Sequence, residues 1–252
     1  MYDKIRYVYE TAVPLGTAVF CQNDSFLFSS LILSQFEFLV DKINSYNDLV
    51  NVLASSVGAL SNPSKIEATF KNVIKSYISL NTIRQYIEYL KDAFVINEAL
   101  RYEVKGRKYI GTPVKYYFED VGLRNARLGF RQVEETHLME NIIYNELRKR
   151  GFQVDVGVVN KQAKNNEGCI TRKQLEVDFV ANKGSLRYYI QSAYSLPDAE
   201  KIRQEKASLK SINDSFKKII IVKDVIKVNH DEDGITIMSI YDFLLLDNSL
   251  EL

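Results

Sequence analysis

The sequence predicts an α+β fold: an N-terminal helical region with helix-turn-helix-hairpin order over residues 1–131, then an α-β-β-β-α-β domain over residues 132–252. Three observations predict it. Leu80, Ile83, Ile87 and Leu90 recur at helical spacing just before an aromatic and β-branched run that starts at Phe94. Leu175–Leu196 alternates as two strands about Asn182-Lys183-Gly184-Ser185, a strong turn sequence. Between and after these, the apolar period switches from helix to strand and back in a fixed order.

The elements follow in turn. Leu27, Leu31, Leu33 and Phe38 suggest a buried helix after the cap cluster Asn23-Asp24-Ser25, and a further helix covers Asp48–Ala59. Pro63–Tyr77 reads as one helix, and Ser79 opens the next. Phe94–Tyr102 and Val114–Phe118 read as strands joined through Lys105-Gly106-Arg107-Lys108. Helix, turn, helix and hairpin is the order of a winged helix. From Glu134, a helix with Leu138, Ile142, Ile143 and Leu147 on one face runs to Arg148-Lys149-Arg150-Gly151. A strand at Phe152–Val158, a polar loop at Asn160–Thr171 and the two strands about Gly184 come next. A helix at Pro197–Ile212, strands at Lys218–Val222 and Ile235–Met238, and a last helix at Ile240–Leu246 complete the chain.

Composition narrows the function. The chain is 46% hydrophobic and 26% charged, as in ordinary globular proteins. Its net charge of +1 conceals a basic segment: residues 101–131 hold 8 Lys and Arg against 3 Asp and Glu. Cations focused in this way suit an anionic partner, and they equally suit a solvated hairpin with none. Thr82, Arg84 and Gln85 on the second helix, with Lys105, Arg107, Lys108 and Lys115 on the hairpin, are the candidate DNA contacts. Two isolated cysteines and two isolated histidines leave almost nothing for a zinc site and fit a reducing compartment. No signal core and no span of bilayer length is present, so a cytoplasmic protein without membrane attachment is expected.

Any metal site must therefore be built from carboxylates. By strand alternation, Glu176 and Asp178 share a face, and Gln191 joins them if the faces of the two strands coincide. Mg²⁺ is held by one or two carboxylates plus waters, so Asp178, Glu176 and Glu140 are the candidate metal ligands. Mg²⁺ is the one cofactor these residues suggest, and none is established by them.

The runs E-V-D-F, Glu176–Phe179, and Y-I-Q-S-A-Y-S-L, Tyr189–Leu196, carry a resemblance. With Ser79–Ala93 and Glu119–Ala126, they make the chain resemble, from about Tyr7 onwards, the C-terminal region of a family of prokaryotic AAA-class ATPases. That region joins a winged-helix-like segment to a domain of unknown function with the P-D-(D/E)-x-K, restriction-endonuclease-like fold. The resemblance implies a nuclease site in which Glu140, Asp178 and Gln191 fill the acidic and Gln positions. The Lys position holds Ala193 instead. No G-x-x-x-x-G-K-[ST] run occurs, so the ATPase module of the family is absent and the chain reads as the C-terminal part alone.

Two readings of that site follow. In one it is degenerate, and the chain is a non-catalytic module that associates with DNA or docks a partner, such as a separate ATPase. In the other a lysine has migrated, with Lys206 and Lys173 as candidates, and the chain is an active Mg²⁺-dependent nuclease. A third class is a module for protein interaction alone. Loss of one electrostatic contact to a developing charge commonly costs on the order of a hundredfold in rate, which favours the first reading. Glu176 could add a ligand or simply pair with Arg187.

Overall fold

The structure, a computed structural model, describes residues 41–131, 134–164 and 170–252. The helix expected around Leu27–Phe38 lies outside them. The chain divides into Met1–Ser45 and Tyr46–Leu252, and the second unit carries everything that follows.

Residues 46–55 are helical. α1, Pro63–Thr69, starts where Asn62 accepts the Lys65 amide at 2.8 Å. The helix expected to reach Tyr77 stops early: Phe70–Ile74 forms a π turn closed by Lys75 in the left-handed region. β-Branched Val73 and Ile74 sit poorly in a helix interior, which fits this stop. α2, Leu80–Asp92, is capped by Ser79, buries Ile83, Ile87 and Leu90, and exposes Arg84, Gln85 and Glu88. The antiparallel strands β1, Ile96–Glu103, and β2, Lys108–Phe118, follow, and then α3, Val121–Arg127, capped by Asp120.

After Glu134 come α4 (Glu135–Lys149), β3 (Gln153–Lys164), β4 (Ile170–Lys183), β5 (Leu186–Ala193), α5 (Ala199–Lys210) and β6 (Lys217–Val222). This is the α-β-β-β-α-β order expected. β7 (Asn229–His230), β8 (Ile235–Ser239) and α6 (Ile240–Leu245) end the fold. The class is α+β, with one mixed eight-stranded sheet in the order β2-β1-β3-β4-β5-β6-β8-β7.

Two further features differ from the sequence reading. The hairpin expected as a wing continues the main sheet, because β1 pairs in parallel with β3 from Arg101↔Val156 to Glu103↔Val158. The division expected at residue 131 thus falls within the compact unit Tyr46–Leu252. The polar segment Asn160–Thr171 is not simply a loop. β3 and β4 stay paired out to Lys164↔Ile170, since ladder bonds come from backbone and tolerate polar side chains.

The free edge of β2 is engaged from Val114 to Phe118. Ser61 exchanges two backbone bonds with Val114, the Gly58 amide donates to Tyr116, and Asn141 of α4 both accepts from and donates to the Phe118 backbone. An exposed edge is thereby covered, and α4 is fixed beside β2. Arg124, fully buried on α3, donates to the Ala54 carbonyl at 2.8 Å and satisfies the end of the helix over 46–55.

Candidate functional site

Lys115 and Tyr117 project from β2, Glu140 from α4, and Glu176 and Asp178 from β4. The Lys115 ammonium lies 2.8 Å from Glu140 Oε1 and 2.8 Å from Glu176 Oε1. The Tyr117 hydroxyl donates to the same Glu140 oxygen at 2.5 Å. Lys115 is only 4% exposed, Glu140 9% and Asp178 8%, so these three are almost closed to water, while the Glu176 side chain is 36% exposed. Burial alone would lower the Lys115 pKa, but the carboxylates of Glu140, Asp178 and Glu176 more than reverse this and raise it. Tyr117 is held well above its usual value by burial and then by Glu140.

Asp178 reaches this cluster through a β-bulge. Along β3, Asp155 pairs with Val180 and Gly157 with Val177, so β4 has one residue too many between them. That residue breaks the alternation at Asp178-Phe179. Gly157 lies opposite, where a Cβ would come within 2.9 Å of both Val177 and Val180. Only glycine fits that closeness. The β4–β5 ladder ends at Phe179↔Ile190, and beyond it Asp178 Oδ2 accepts the freed Ser192 amide at 2.8 Å. Burial, then the Glu140 charge, push the Asp178 carboxyl up to about 8, against the opposing pull of Lys115 and Ser192.

The sequence-predicted residues part company here. Glu140, Glu176 and Asp178 come together. Gln191 does not: Ile190 pairs with Phe179, which touches Tyr144 of α4, so Gln191 turns to the other face and meets the Ser208 hydroxyl of α5 at 3.4 Å. Alternation without the bulge would have put Asp178 and Gln191 on one face. Ala193 is buried on the Gln191 side. Neither proposed migrant lysine enters the cluster: Lys206 pairs with Asp231 at 2.6 Å, and Lys173 is exposed. Glu176 pairs with Lys115 rather than Arg187, whose Nε donates to Asn182.

Among the candidate DNA contacts, Arg84, Gln85, Lys105, Arg107 and Lys108 are exposed and Thr82 is half-buried. Arg84 lies one turn from Glu88, so α2 offers phosphate no net charge there. Lys115 is the exception: it is buried in the carboxylate cluster and not presented on the hairpin surface. Sequence reasoning misses it as a member of this cluster. The signal is a lone lysine inside the apolar run Val114–Phe118.

Mg²⁺, implied by the nuclease resemblance, does not fit this arrangement. Among the described residues no three His, Cys, Asp or Glu side chains form a metal-holding group. The focus of Glu140 and Glu176 is taken by a tethered ammonium within hydrogen-bond distance of both.

Comparison with known proteins adds kinship without an activity. No helix among the described residues is long and apolar enough to cross a membrane. No solved structure matches the chain. An uncharacterised protein of Haemophilus influenzae is 31% identical over 221 residues, which is 87% of this chain and 51% of that protein. An uncharacterised protein of Methanocaldococcus jannaschii is 32% identical over 170 residues, 67% of this chain and 34% of its own length. The chain therefore spans about half of the first relative and a third of the second. Residues 37–134 match the model of a family described as a domain of unknown function, DUF8612, a stretch that carries Lys115 and Tyr117 and stops before Glu140, Glu176 and Asp178.

Proposed function

We propose that the chain is a non-catalytic, DNA-associated module whose nuclease-like carboxylate cluster is locked by its own lysine. One observation carries this reading: the Lys115 ammonium sits 2.8 Å from both Glu140 and Glu176, where a hydrolytic metal would need to bind. Two further features support it. Gln191 bonds Ser208 on the opposite face, and burial and the Glu140 charge raise the Asp178 pKa, which works against the ionised form that a metal ligand needs. The resemblance of Glu176–Phe179 and Tyr189–Leu196 to the C-terminal region of AAA-class ATPases suggests a separate ATPase module as protein partner. The exposed cations of the β1–β2 turn supply the charge for DNA.

One observation favours the nuclease reading. Lys115 stands beside Glu140 and Asp178, and so could supply the cation that Ala193 does not. Incubation with single- and double-stranded DNA and RNA in Mn²⁺ or Mg²⁺ separates the two, with Asp178→Ala alongside. Equal absence of product from both proteins is expected. Cleavage by the wild type that disappears in Asp178→Ala would establish the nuclease.

A further inference from the structure

Beyond the carboxylate cluster, cations distant in sequence meet at one end of the sheet. β1 and β3 run in parallel, so the β1–β2 turn and the outer part of the β3–β4 hairpin lie at the same end of the sheet. Backbone and side-chain bonds join them. The Val104 amide donates to Val158 O at 3.0 Å, Lys105 Nζ to Asn160 O at 3.4 Å, and Arg101 Nη2 to Gln174 Oε1 at 3.2 Å. Lys105, Arg107 and Lys108 are exposed on the turn; Lys161 and Lys173 are exposed on the hairpin.

Lys161 and Lys173 are direct cross-strand partners. Like charges placed opposite each other destabilise a ladder, and no ion pair to a described residue relieves either one. The acid within this group, Glu103, is already engaged by Lys108 at 3.4 Å and by the Asn160 amide. The result is an excess of positive charge at this end of the sheet, with Arg101, Glu103 and Lys108 on one face and Lys161 and Lys173 on the other.

We infer that this end of the sheet, built from Arg101, Lys105, Arg107, Lys108, Lys161 and Lys173, binds the phosphate backbone of nucleic acid. The inference rests on the DNA association proposed above and relocates it, from α2 and the turn to the turn and the β3–β4 hairpin. Long, mobile ammonium and guanidinium groups at a strand end contact phosphates without reading bases, so binding is independent of sequence. A second anionic surface, a lipid bilayer, would share the charge but not the spacing of phosphates along one strand.

The test is fluorescence anisotropy of the full chain with labelled duplex DNA over a series of salt concentrations. Three variants are compared: Lys105→Gln/Arg107→Gln/Lys108→Gln, Lys161→Gln/Lys173→Gln, and Arg84→Gln on α2. Both of the first two are expected to weaken binding, and to flatten the plot of log affinity against log salt by about 0.9 for each phosphate that is no longer neutralised. Arg84→Gln is expected to bind as the wild type does. All three changes are at exposed side chains, so folding is retained, as circular dichroism would verify. DNA binding that is unchanged in Lys161→Gln/Lys173→Gln would overturn this surface while leaving DNA association intact. No DNA binding by the wild type, or tighter binding to phosphatidylserine vesicles at equal salt, would overturn both.

Discussion

Lys115 Nζ and Glu140 Oε1 lie 2.8 Å apart across the junction of β2 and α4, and the Tyr117 hydroxyl closes on the same oxygen. Buried charge is costly unless paired and hydrogen-bonded, and here each group supplies what the others need. Glu176 completes the pairing from β4. The cluster thus ties the hairpin, the helix and the central strand together.

Removal of the lysine leaves the carboxylates without their cation. Lys115→Met is expected to destabilise the fold by about 3–5 kcal/mol, the usual cost of orphaning one side of a buried ion pair. Urea unfolding measures it. The double variant Lys115→Met/Glu140→Gln is expected to recover part of that loss, because it removes a charge that Lys115→Met strands.

The Asp178 carboxyl gives a signature in pH. Its folded pKa is pushed up to about 8 by burial and by Glu140. An unfolded Asp titrates near about 3.9. Between those values the folded chain holds a proton that the unfolded chain has released. The stabilisation is complete below the unfolded pKa and is lost as pH rises through the folded one. Asp178→Asn keeps an acceptor for the Ser192 amide and cannot ionise. Its stability relative to wild type is expected to climb from about pH 4 to about pH 8 and then level off. Asp155, raised by burial to about 6, has the same sign over a narrower range and is common to both proteins. Unfolding free energies at pH 5, 7 and 9 check this; a difference that does not vary with pH would contradict it.

Gly157 is the counterpart of the bulge. Gly157→Ala places a methyl 2.9 Å from Val177 and Val180. The cost expected is about 1–3 kcal/mol, as for other overpacked interiors. The same change is expected to diminish the pH signature of Asp178, because the bulge that positions it must shift. A thermal melt and the pH series on this variant test both.

Much of this is legible in the sequence, and the failures have specific causes. The helical spacing of Ile83, Ile87 and Leu90 and the opening of their helix at Ser79 are local signals, and the structure uses them as written. Glu140, Glu176 and Asp178 are recognisable as a set. Gln191 is misplaced by sequence reasoning because one extra residue in β4 changes which face follows, and strand alternation cannot register a bulge. Lys115 reads as a surface cation because the hairpin's other cations are exposed, whereas its partners lie 25 residues or more away. The parallel pairing of β1 with β3 is likewise a long-range contact that no local pattern encodes.

The most direct test is titration of Mn²⁺ into the wild-type chain by isothermal calorimetry, with Asp178→Asn as control. A tethered ammonium at the focus of the carboxylates is expected to leave no saturable binding at the cluster, with the two proteins giving the same heats. Stoichiometric Mn²⁺ binding by the wild type that is lost in Asp178→Asn would contradict the locked site and restore a metal to it.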